Sequence, residues 1–172
     1  MKGPGAMKGN DKSSADNRRC TDVTSAREYL SSHNVLCLAT ATDDTPWVSP
    51  VFYAVHADKL VFLSAPHTRH AKNIDNNPIV SASVQNDYSN WQDIKGVQLQ
   101  GRCALLTDTS DVIKAYSSKF PVTGADAPPQ IAKALDKIGW YELTIELFYF
   151  IDNSKGLGYR VELDSAQVLK GL

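Results

Sequence analysis

The sequence predicts a small, mainly β fold: an antiparallel sheet closed into a barrel, with peripheral helices. Three observations carry this. About seven short segments are either uniformly apolar or alternate with period two. Turns of hairpin length join most of them. Helical segments fall between some strands, without the regular alternation of a doubly wound sheet. A chain of 172 residues, 42% apolar and 22% charged, is long enough for one domain with a full core.

Residues 1–20 are rich in Lys, Gly, Ser, Asp and Asn and are expected to form a disordered tail, leaving 21–172 as the single domain. Thr24 or Ser25 caps a short helix to about Ser32, with Ala26, Tyr29 and Leu30 on one side. Val35–Ala41 reads as a strand buried on both faces. Thr42-Asp43-Asp44-Thr45-Pro46 is a turn, and Trp47–Val55 returns antiparallel. Pro50 cannot donate to a ladder, so that strand is interrupted, bulged or at an edge there. Leu60–Leu63 follows, then a helix over 68–76 that Asn76-Asn77-Pro78 stops.

Ile79–Val84 alternates, with Val80, Ala82 and Val84 on one face. A polar loop over 85–96 leads to the long strand 97–106, in which Gly101 marks a bulge or a close backbone approach. Helices follow at Ser110–Phe120 and around Ile131, Leu135 and Ile138, separated by a loop with Pro121, Gly124, Pro128 and Pro129. The clearest strand sets Tyr141, Leu143, Ile145, Leu147, Tyr149 and Ile151 on one face. A turn over 152–158 precedes a last short strand, Tyr159–Leu163.

A net charge of -1 gives no global attraction to nucleic acid or to anionic membrane. Phosphate binding, if present, is local and suits a small ligand. No apolar run approaches the roughly 18 residues of a membrane span, and no signal peptide is legible. Cys20, Cys37 and Cys103 are scattered, which fits a reducing compartment, so a cytoplasmic location is expected.

The local site is the stretch from Leu60 to Asn73. It runs from a strand through a tight loop into a helix with Thr68 at the N-cap. Free backbone N–H groups, the Ser64 and Thr68 hydroxyls, and the Arg69 guanidinium converge there, with His70 and Lys72 following. Together they suit a terminal phosphate; the plain alternative is a capped surface helix with a solvated basic face. His67 and His70 stand at i and i+3 but lack a nearby third ligand, so no metal is expected. The irregular strand Val48, Ser49, Pro50, Val51, Phe52 offers free backbone groups and apolar faces to a flat ring. Gln98 and Gln100 share a face, either toward solvent or toward such a ring. Gly156-Leu157-Gly158 is a turn, and no residues read as a Ser or Cys nucleophile with a base. Chemistry would therefore come from a bound cofactor.

These strings resemble the pyridoxamine 5'-phosphate oxidase-like split-barrel superfamily. The resemblance is carried by Leu38-Ala39-Thr40, Trp47–Tyr53, Thr68–Asn73 with Asn77-Pro78, and Lys95–Gly101. Asp152–Gly158 is similar to a subgroup of small bacterial members. The resemblance implies a homodimer of six-stranded antiparallel split β-barrels with FMN at the interface. It implies that Val48–Phe52 lies along the flavin ring and that Ser64, Thr68 and Arg69 hold the phosphate. His70 stands where a permanently basic residue is common in the family. Gln98 is expected to approach the flavin of the other subunit. Arg160 is followed by Val161 and Glu162, so the substrate-binding Arg-x-His pattern is missing and vitamin B6 synthesis is not expected. The resulting expectation is an FMN-dependent oxidoreductase using a small-molecule substrate or electron donor. The alternatives are a haem-binding or haem-degrading split barrel, with His67 or His70 as axial ligand, and a non-catalytic flavin-binding module.

Overall fold

The fold was obtained as a computed structural model, which describes residues 10–122 and 127–172. The strands are β1 (Val35–Thr42), β2 (Thr45–His56), β3 (Lys59–Ser64), β4 (Ile79–Gln85), β5 (Lys95–Leu105), β6 (Gly139–Asp152) and β7 (Arg160–Glu162). Their order is β3-β2-β1-β4-β5-β6-β7, and β3 also pairs with β6. That last pairing closes six antiparallel strands into a barrel, with β7 flanking it. The helices are α1 (Asn10–Ser32), α2 (Arg69–Asn76), α3 (Ser110–Lys119), α4 (Pro129–Ala134) and α5 (Ser165–Leu169).

Alternation fills the barrel. Leu36 and Leu38, Val51 and Tyr53, Leu60 and Phe62, and Val80, Ala82 and Val84 all point into one buried cluster. On α1, Ala26, Tyr29 and Leu30 enter the same cluster, as do Val168 and Leu169 of α5. The Tyr53 hydroxyl donates to the Leu30 carbonyl at 2.7 Å, fastening α1 to β2. The Arg27 guanidinium donates to the carbonyls of Gln167 and Val168, binding α1 to α5. A smaller cluster lies outside the barrel, where Val112 and Tyr116 of α3 cover Ala54, Val61 and Trp140.

Four expectations are corrected. First, α1 begins at Asn10, so residues 10–20, read as tail, are helical; residues 1–9 and Gly124 lie outside the described residues. The signal was masked because residues 16–20 are all exposed and show no apolar stripe. Buried Asp22 anchors this helix instead, pairing with the Lys155 ammonium and accepting from the Tyr159 hydroxyl at 2.7 Å. Second, β1 is buried on one face only: Cys37 and Ala39, on the other face, are half-buried. Third, α4 is short and passes into a 3-10 turn at Leu135–Lys137, which leaves Ile138 at the entry to β6.

Fourth, β6 does not keep one phase. Gln100 pairs with Leu147 and Gly101 with Ile145, so Glu146 is an extra residue. This β-bulge switches faces. Tyr141, Leu143 and Ile145 point inward before it, Phe148 and Phe150 after it, while Leu147, Tyr149 and Ile151 are half-buried outside. Gly101 lies opposite the bulge. A Cβ there would stand 2.0 Å from the Thr144 carbonyl oxygen. Both readings of that glycine therefore hold, and α5 is an element the sequence did not announce. No helix among the described residues is long and apolar enough to cross a membrane.

Candidate functional site

β2 pairs with β1 along most of its length but with β3 only from Tyr53 to His56. Residues 45–52 therefore have an open edge on the β3 side. The Tyr53 N–H turns toward β1, reaching the Asn34 carbonyl at 3.0 Å. By alternation the backbone groups of Val48, Pro50 and Phe52 face the open edge, where Pro50 has no N–H to leave unmet. Of the three structural options for Pro50, the edge is the one realised. Val48 and Phe52 are 58% and 55% exposed, whereas Ser49 and Val51 point into the barrel. Ser49 and Val51 can meet an outside ligand only through their backbone.

The segment after β3 runs beside this edge. Ser64 ends β3 opposite Gly139 and is buried. Thr68 is the N-cap of α2, as its position predicts, and its hydroxyl oxygen accepts from the Ala71 N–H at 3.4 Å. Ser64 Oγ lies 2.9 Å from Thr68 Oγ1 and 2.6 Å from His70 Nε2. Thr68 Oγ1 lies 3.3 Å from the same nitrogen and donates to the Ala65 carbonyl at 2.9 Å. Burial holds the imidazole below the usual histidine range, so it is neutral at pH 7. This hydroxyl–imidazole contact was not anticipated, since nothing in one-dimensional spacing signals it.

The Arg69 guanidinium stacks on Trp47, 4.5 Å from the ring centroid. It has no carboxylate partner among the described residues. Lys72 is exposed, its N–H closing the first turn on the Thr68 carbonyl. Ser64, Thr68, Arg69 and His70 are thus brought together at a helix start, on a barrel end where Asn73 Nδ2 fixes α2 to Thr40 Oγ1 at 3.0 Å. Gln98 is elsewhere. It shares with Val48 a concavity of about 520 Å³ on the outer faces of β1, β4 and β5. Cys37, Tyr149 and Arg160 also line that space, with the Arg160 guanidinium 3.8 Å from the Tyr149 ring centroid. Within one chain, then, Val48–Phe52 bridges two separate regions, and Gln98 does not meet Ser64.

The family model described as pyridoxamine 5'-phosphate oxidase matches residues 24–152. The chain belongs to this family. A UPF0306 protein of Photorhabdus laumondii is 29% identical over 137 residues, covering 77% of this chain and 89% of that protein. Among solved structures, a heme binding protein from Mycobacterium smegmatis superposes with a TM-score of 0.67 at 20% identity, over 86% of this chain and 60% of that one. A FAD-binding protein of Mesorhizobium loti superposes with a TM-score of 0.56 at 23% identity, over 73% of this chain and 88% of that one. At these identities the two structural likenesses are likenesses of fold.

Proposed function

We propose that the protein is an FMN-binding flavoprotein of the pyridoxamine 5'-phosphate oxidase type, acting as an oxidoreductase on a small organic molecule. The observation that carries this reading is the cluster of Ser64, Thr68 and His70 at the start of α2, beside an Arg69 with no carboxylate partner among the described residues. Hydroxyls, helix-start amides and a guanidinium are the donors that a phosphate monoester needs. The exposed Val48 and Phe52 side chains and the open edge of β2 fit a flat ring with polar atoms along one rim. The donor set therefore fits FMN.

When bound, FMN supplies hydride or electron transfer. The residues of this chain hold and orient it. Arg69, Thr68 and Ser64 bind the phosphate, Lys72 adds positive potential at the first turn of α2, and His70 fixes the Ser64 hydroxyl. Val48, Pro50 and Phe52 cover one face of the ring and exclude water from it. The uncovered concavity around Val48 and Gln98 is the surface proposed for a second copy of the chain. A homodimer built on that surface brings Gln98 toward the flavin of the other protomer, as the family resemblance implies.

The visible spectrum of the purified protein tests this, followed by titration with FMN and light scattering of the eluted species. Flavin absorbance or micromolar FMN binding by a dimer supports the proposal. Absence of any FMN binding defeats it. The haem reading draws on the fold likeness to a heme binding protein. Here His70 Nε2 is engaged with Ser64, so His67, which is exposed, is the better axial candidate. A Soret band on haem titration that His67→Ala abolishes would favour haem over flavin.

A further inference from the structure

The open end of β2 also borders a second space. Phe52, Leu63 and Ser64 form one wall, Tyr116 and Phe120 of the α3 end another, and Ile138 contributes a third side to a cavity of about 460 Å³. Cavities of roughly 300–1,000 Å³ are of the size that holds small organic ligands. The aromatic groups brace one another. The Phe52 and Phe120 ring centroids are 5.1 Å apart at 60°, and Tyr116 stands 5.1 Å from Phe120 and 5.4 Å from Trp140. Rings held in this way by their neighbours present fixed faces and edges to a planar guest.

The charge pattern narrows the guest. No charged side chain lines this cavity among the described residues; the polar side chains are the hydroxyls of Ser64 and Tyr116. Lys119, next in sequence to Phe120, is not part of the lining: its ammonium donates to the His33 carbonyl at 2.6 Å and lies over the Tyr53 ring, 5.6 Å from the Phe120 centroid. Arg69 is stacked on Trp47 and is not part of the lining. An anionic group here would lose its hydration with no cation in the lining among the described residues to meet it.

We infer that this cavity binds the protein's organic reactant, and that the reactant is a neutral, planar and largely apolar molecule carrying neither phosphate nor carboxylate. The assignment rests on the flavin reading, because Phe52 and Ser64 border both sites and so bring the two ligands side by side. It separates this chain from the phosphorylated substrate for which its family is named.

Calorimetric titration with 2-naphthol and with 2-naphthoate, on the full chain with and without added FMN, tests the inference. 2-Naphthol binds and 2-naphthoate binds at least tenfold more weakly. Phe120→Ala lowers 2-naphthol affinity about tenfold with an intact thermal melt. Equal or tighter binding of the carboxylate, no binding of either, or unchanged 2-naphthol affinity in a folded Phe120→Ala variant would overturn it. If that variant does not fold, the neutral-against-anionic comparison in the wild type still decides. FMN binding is read separately by flavin absorbance. Loss of that signal with 2-naphthol binding intact defeats the flavin reading alone; the reverse result defeats the cavity assignment alone.

Discussion

His70 Nε2 lies 2.6 Å from Ser64 Oγ, and no carboxylate is paired with that imidazole among the described residues. The pair is therefore a fixed donor–acceptor link between β3 and α2, without the third member that would make it a nucleophile and its base.

The link has a pH signature. Burial lowers the folded-state pKa of His70 below that of the unfolded chain, about 6.5. The unfolded state binds the proton more readily, so stability is complete above that pH and falls as pH drops through 6.5 toward the folded value. Urea denaturation at pH 7.5 and pH 5.5 should show a smaller loss in His70→Gln than in the wild type. Identical losses would contradict the burial argument.

Arg69 should discriminate between flavins. Arg69→Ala is expected to weaken FMN binding by about 1.5–3 kcal/mol, the worth of a charge-assisted hydrogen bond, while riboflavin, which lacks the phosphate, keeps its affinity. Fluorescence quenching titrations of the two flavins measure this directly, and an equal loss for both would place the guanidinium at the ring instead.

Gly101 has no room for a side chain, since a Cβ would meet the Thr144 carbonyl oxygen at 2.0 Å. Gly101→Ala forces β5 and β6 apart beside the bulge and is expected to cost at least about 1–3 kcal/mol, the usual penalty of overpacking. A chemical denaturation midpoint equal to that of the wild type would be incompatible with this close approach.

Asp22 carries the hold on α1 at its distal part. Asp22→Ala strands the Lys155 ammonium and the Tyr159 hydroxyl, with an expected loss of about 1–3 kcal/mol. Limited proteolysis should cut the variant sooner within residues 10–22 while the barrel stays protected. Unchanged cleavage would mean that Arg27 and Tyr53 suffice.

The barrel was legible because its strands are governed by local alternation. Val80, Ala82 and Val84 face inward as their spacing indicates, and Thr68 caps α2 because a hydroxyl before a helical run has one common use. What escaped depends on tertiary partners. The phase change in β6 arises from one unpaired residue, Glu146, whose identity is unremarkable. The early part of α1 shows no apolar stripe, since Asp22 secures it through residues more than 130 positions away. At the site, Ser64, Thr68, Arg69 and His70 were found together because they are neighbours in sequence. Tyr116 and Phe120 have the spacing of an ordinary helix face, and only the fold brings them to Phe52.

The extra residue at position 146 makes the longest strand a splice of two half-strands with opposite parity. Removing that one residue would join the two halves in a single phase, with Ile145, Phe148 and Phe150 still facing the barrel and the kink opposite Gly101 gone. A one-residue deletion is thus absorbed at the bulge, whereas one placed beyond Phe148 inverts the faces after it, a counting rule that constrains how this protein can drift or be redesigned.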